Sequence, residues 1–139
     1  MAAINQPLTT PLPRQTTSWS DTLHEWVATC DHKKLGVMYV CSGLFFFVVA
    51  GIEAALMRYQ LFFAGNDAIN PETFNRLFTM HGTTMVFMVG MPIITGFGNY
   101  FLPLMIGARD MAYPRLNAWG FWMFFFGASL FYFSFIGAD

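Results

Sequence analysis

Apolar positions along this chain form unbroken runs rather than the alternating or one-faced patterns of a water-soluble fold. Leu35–Met57 is 23 residues with one charge, Glu53. Leu77–Met105 is 29 residues, and Leu116–Ile136 is 21, with no Asp, Glu, Lys or Arg in either. About 20 such residues cross the hydrocarbon core of a bilayer as a helix. In lipid the backbone has to satisfy its own hydrogen bonds, so the runs predict helices. Asn70 followed by Pro71 reads as an N-cap and a first helical residue, which starts the second helix earlier. The expected spans are therefore about 35–57, 71–105 and 116–136. The second would be about 50 Å long at about 1.5 Å per residue. It must tilt, kink or project from the bilayer, and Pro92 and Pro103 offer the kinks.

Ahead of the first run the pattern changes. In SWSDTLHEWVATC, Trp19, Leu23, Trp26 and Val27 recur at helical spacing on one face, and Ser18 with Asp21 resembles a capping box. This predicts a short N-terminal helix lying in the membrane interface, with its tryptophans at headgroup level. Residues 1–17 are rich in Pro and Thr, carry one charge and lack the apolar core of a secretory signal, so they read as a disordered cytoplasmic tail. The fold class is all-α, a membrane protein of three transmembrane helices plus the interfacial helix, with residues 18–139 as the membrane part. Arg14, Lys33, Lys34, Arg109 and Arg115 flank one side of the spans, and Arg58 and Arg76 the other. That bias predicts a cytoplasmic N-terminus.

Composition supports the same class. Of 139 residues, 55% are hydrophobic and 11% charged, against about 25% charged in soluble domains. The net charge of −1 leaves no basic field for nucleic acid. Cys30 precedes the first span and Cys41 lies within it, so no disulfide is expected, and neither has a second ligand at zinc-site spacing. Small-residue pairs such as Ala50/Ala54 and Gly51/Ala55 permit close helix packing.

Candidate chemistry sits at the ends of the spans. His81 lies about five residues into the second apolar run. An ionisable side chain there is costly. It is either hydrogen-bonded to a neighbouring helix, or a metal or haem-iron ligand, or a proton relay. Gly82 and Thr83 leave low relief beside the imidazole, as a porphyrin face requires. Arg58 closes the first span on the same side, as a snorkelling side chain or a donor to a polar haem substituent. Glu53 reads as structural, paired with Arg58 or with a polar group on another helix, or else as part of a proton relay. At the opposite side Asp110 is a solvated loop acid or a proton-collecting entrance. Asn99 and Asn117 flank it and can order water.

The runs DHKKLGVMY, LFTMHGTTMVFMVGMP and GFGNYFLPLMIGARDMAYPRLNAWGFW resemble subunit I of the haem–copper oxidases, from about Asp31 to the end of the sequence. The resemblance implies that these residues form the first quarter of a bundle of roughly twelve helices. It implies that His81 is an axial ligand of the low-spin haem iron, a haem of a type, and that Arg58 contacts that haem. Asp110, with Asn99 and Asn117, would form the entrance of a proton channel. The entrance aspartate points to a proton-pumping oxygen reductase. Val49, Glu53 and Thr73 stand where quinol oxidases of the family carry Arg, Asp and His, so cytochrome c is the expected electron donor and a quinol oxidase the alternative. Gln60 replaces a cation-binding glutamate of many members, and Ala118 an asparagine. The high-spin haem, copper and their ligands belong to helices outside this chain. By itself the chain is then not expected to reduce oxygen. Its expected partners are the remaining helices of subunit I, oxidase subunits II and III, cytochrome c and the lipid bilayer, in a bacterial inner membrane. A non-enzymatic three-helix remnant of the family is the other reading.

Overall fold

The computed structural model describes residues 18–136. The tail expected over residues 1–17 lies outside the described residues. Four helices follow one another: α1 (Trp19–Val27), α2 (His32–Gln60), α3 (Pro71–Met105) and α4 (Pro114–Ile136). The last three are long and apolar enough to cross a membrane, and among the described residues there is no strand. The protein is an all-helical membrane protein.

Local chemistry sets the helix ends. Ser18 and Asp21 close a capping box at the start of α1, with the Ser18 amide donating to Asp21 Oδ2 at 3.2 Å. Asp31 caps α2 by accepting from the Lys33 amide at 2.9 Å. Asn70 caps α3 by accepting from the Thr73 amide at 2.7 Å, and Pro71, which needs no donor, begins the helix. Gly107, at φ +71°, ends α3. Its amide donates to Leu104 and that of Ala108 to Pro103, the paired bonds of a Schellman motif, whose left-handed residue favours glycine. This turn sends the chain back toward the start of α2, which brings Asp110 there.

α3 is not uniform. Thr84–Gly90 is π-helical, and the Met91 amide reaches back to the Val86 carbonyl. Pro92 explains the position. It has no N–H, and its ring crowds the carbonyl four residues back. Widening the turn before it relieves that crowding without breaking the helix.

α2 and α3 form the tightest pair. Gly36, Gly43 and Ala50, seven residues apart, are all buried. A Cβ added to Gly36 would stand 2.8 Å from the Gly96 carbonyl oxygen, and one on Gly96 would stand 2.7 Å from that of Gly36. The backbones therefore touch directly, as small residues allow in membranes. Of the small-residue pairs expected in this role, Ala50/Ala54 contributes the buried Ala50, whereas Gly51/Ala55 is exposed, and Gly51 has nothing within 4 Å of an added Cβ. α4 lies over the pair through Phe121 and Ala128, with Tyr39 edge-on to Phe121 and Phe46 stacked on Tyr132. α1 is pinned by Trp122 Nε1 donating to the Val27 carbonyl at 3.2 Å and by an ion pair between Glu25 and Lys34. Trp19, Leu23 and Val27 remain exposed. So do Phe45, Phe47, Val48 and Ile52 along α2 and Phe126, Leu130 and Phe133 along α4. Apolar surface of this extent suits lipid or further helices.

Candidate functional site

Two polar groupings stand at opposite ends of α3. His81 and Asn99 are separated by 18 residues, about 27 Å of helix rise.

The first grouping begins with His81, which is half-buried. Its Nδ1 lies 3.0 Å from the Ala50 carbonyl oxygen on α2. A carbonyl can only accept, so Nδ1 carries the proton and donates. In the neutral ring Nε2 is then left with a lone pair, and among the described residues it makes no hydrogen bond. A Cβ on the neighbouring Gly82 would meet nothing within 4 Å, so the surface beside the ring is open and flat. A fixed imidazole with a free Nε2 on an open face is the donor that haem iron takes, and the Nδ1 bond is the kind that sets ring orientation at metal sites. These residues fit a haem.

Arg58 ends α2, is exposed, and makes no ion pair or hydrogen bond among the described residues. It lies eight residues beyond Ala50, about 12 Å along the helix. Glu53 does not pair with it. The Tyr132 hydroxyl on α4 donates to Glu53 Oε1 at 3.2 Å, which makes the polar group on another helix the carboxyl's partner.

The second grouping surrounds Asp110, which is exposed. Its Oδ1 accepts from the Met111 amide at 2.8 Å and lies 3.3 Å from His32 Nδ1. Asn99 is buried, and its Nδ2 donates to Asn117 Oδ1 at 3.1 Å. Asn117 Nδ2 in turn reaches Met111 Sδ at 3.1 Å. The three residues singled out in sequence are thus gathered at one end of the bundle, with the two amides bonded directly to each other and Met111 linking them to the acid. His32 is the member that sequence reasoning missed. It is 4% exposed, and its Nε2 is buried without a partner among the described residues. The available signal was a lone histidine beside Lys33 and Lys34 at the head of an apolar run. Tyr132 and Thr84, joined at 2.7 Å, were missed too, because a single hydroxyl in an apolar helix has no pattern. Among the described residues no three His, Cys, Asp or Glu side chains gather as a metal site.

An all-helical membrane bundle with an oriented imidazole near one end and a carboxylate, imidazole and two amides gathered at the other defines an integral membrane protein with polar groupings at two depths. A sequence model described as "Cytochrome C and Quinol oxidase polypeptide I" matches residues 34–139. The chain belongs to that family, subunit I of the haem–copper oxidases. The cytochrome c oxidase subunit 1 of Alkalihalophilus pseudofirmus is 49% identical over 106 residues, and that of Bacillus sp. strain PS3 is 50% identical over 105. Each match covers 76% of this chain and 17% of the relative. The quinol oxidase subunit 1 of Bacillus subtilis strain 168 is 43% identical over 118 residues, covering 85% of this chain and 18% of that protein. The chain thus spans less than a fifth of the length of these relatives.

Proposed function

We propose that this chain contributes two parts to the catalytic subunit of a proton-pumping terminal oxidase that oxidises cytochrome c and reduces oxygen to water. His81 holds the low-spin haem iron through Nε2, and Asp110 opens a proton-uptake path. The observation that carries the first part is the 3.0 Å bond from His81 Nδ1 to the Ala50 carbonyl. It fixes the tautomer and leaves the other nitrogen to donate to iron. A bound haem supplies one-electron transfer. Around it, this chain's residues orient the imidazole and keep the face over Gly82 clear. Arg58, at the end of α2 on the same side, would supply a guanidinium to donate to a polar haem substituent. The second axial ligand, the high-spin haem and copper ligands, and subunits II and III lie beyond these residues.

At the other end, Asp110 meets solvent while His32 sits buried against it. A proton taken by the carboxylate can pass to the ring through Nδ1, and Nε2 faces the interior. Asn99 and Asn117, joined to each other and linked to Asp110 through Met111, offer amide donors and acceptors at the same end of the bundle. Uptake belongs on the cytoplasmic face, which puts the N-terminus in the cytoplasm of a bacterial cell. Cytochrome c is favoured over quinol as donor because Val49 and Thr73 lack the charged and imidazole groups of the quinol oxidases.

The test is His81→Ala in the haem-loaded protein containing this chain. The expected result is loss of the six-coordinate low-spin haem spectrum with the membrane helices still inserted. A low-spin spectrum that survives the substitution would refute the ligand role.

A further inference from the structure

The interior between α2, α3 and α4 holds a polar chain that the proposed function leaves unused. Glu53 is 6% exposed, and its one hydrogen bond among the described residues comes from the Tyr132 hydroxyl. That bond commits the phenol's only proton. The 2.7 Å contact between Tyr132 and Thr84 is therefore Thr84 Oγ1 donating to the phenol oxygen. The chain runs in one direction, Thr84 to Tyr132 to Glu53. Thr84 has no exposed surface. The tyrosine ring is itself held by stacking on Phe46, at 5.8 Å and 18°.

Its placement relative to His81 matters. Thr84 is one turn along α3 from His81, and Glu53 is one turn along α2 from Ala50, whose carbonyl holds the imidazole. Two links thus join α2 to α3 at the level of the ligand, one direct and one through α4. The close backbone contact of the pair lies further along, at Gly36 and Gly96. Near His81 the two links, a turn apart, add directional constraints on how α3 is turned. Thr84 is also where the π-helical stretch begins. The anchor thus sits where α3 changes from α- to π-helical winding, a break in regular geometry that often marks functional sites.

We propose that Thr84, Tyr132 and Glu53 are positioning residues for His81: their hydrogen-bond chain fixes the rotation of α3 at the ligand and with it the plane of the imidazole. The proposal rests on the reading of His81 as a haem ligand. The test uses the haem-loaded protein containing this chain, with electron paramagnetic resonance of the ferric low-spin haem, whose g values follow the orientation of the axial imidazole planes, and with its midpoint potential. Tyr132→Phe removes only the hydroxyl. It is expected to keep the haem low-spin while moving both the g values and the potential. Glu53→Gln retains a carbonyl that accepts from Tyr132 and is expected to keep the wild-type g values. Unchanged g values in Tyr132→Phe, or equal displacements in the two variants, overturn the proposal. If Tyr132→Phe does not assemble, Thr84→Val against Thr84→Ser carries the test. Serine keeps the hydroxyl and the wild-type g values, valine moves them, and identical values in both overturn it. His81→Ala separates the two failures. If the low-spin signal survives there, the ligand reading fails. If it is lost there but Tyr132→Phe leaves the g values in place, only the positioning role fails.

Discussion

Replacing Gly96 with alanine tests the packing that holds both groupings on one frame. An alanine Cβ there would stand 2.7 Å from the Gly36 carbonyl oxygen, 2.8 Å from Val40 Cγ2 and 3.1 Å from Tyr39 Cβ. Ordinary contact begins near 3.4 Å, so the backbone oxygen must retreat by about 0.7 Å, and it belongs to a helix that cannot yield locally. Overpacking of this kind costs about 1–3 kcal/mol. Alanine's better helix propensity returns at most about 1 kcal/mol, so the net effect is destabilising. Two residues on, Gly98 has nothing within 4 Å of an added Cβ, and Gly98→Ala carries the propensity gain without the clash. The assay is thermal unfolding followed by circular dichroism in mild detergent, with both variants measured beside the parent. Gly96→Ala should melt several degrees lower and Gly98→Ala at or above the parent. Equal melting of the two variants would show that α2 and α3 do not meet through their backbones, and the reasoning about the frame would fail.

Three further outcomes follow from the same geometry. Asp110→Asn removes the acid beside His32 and should leave haem spectra intact while slowing turnover and proton pumping in the assembled oxidase; pumping at the parent rate would take Asp110 off the uptake path. Trp122→Phe loses the bond to the Val27 carbonyl, about 0.5–1.5 kcal/mol, and should raise protease cleavage between α1 and α2 with no change in the spans. Gln60 holds the 61–70 loop at both ends of its amide, donating to the Asn66 carbonyl and accepting from the Ile69 amide at 2.7 Å. Gln60→Leu should therefore speed hydrogen exchange at Ile69 in membranes, by about 5- to 150-fold for a loss of about 1–3 kcal/mol.

Much of the architecture could be read from local properties. An apolar run longer than the bilayer is thick has one stable backbone solution, so the spans declared themselves. Capping is a matter of residues one to three apart, so Ser18 with Asp21 and Asn70 with Pro71 marked helix starts without any tertiary information. His81 and Asp110 stood out because charge and imidazole are scarce near an apolar run. The small-residue contact was not legible in the same way. Gly36, Gly43, Gly51 and Gly96 look alike in sequence, and only the relative rotation of two helices decides which of them face each other.

The chain alone therefore determined that it lies in a membrane, where its helices begin, and which ionisable groups demand a reason. Tertiary structure decided the pairings: His32 with Asp110 across 78 residues, Tyr132 with Glu53 across 79, and the Ala50 carbonyl with His81 across 31. Propensity, capping and hydropathy act over a few residues and can be summed along a sequence. A hydrogen bond between helices depends on how each is turned about its axis, and that turning is settled by packing of all three at once.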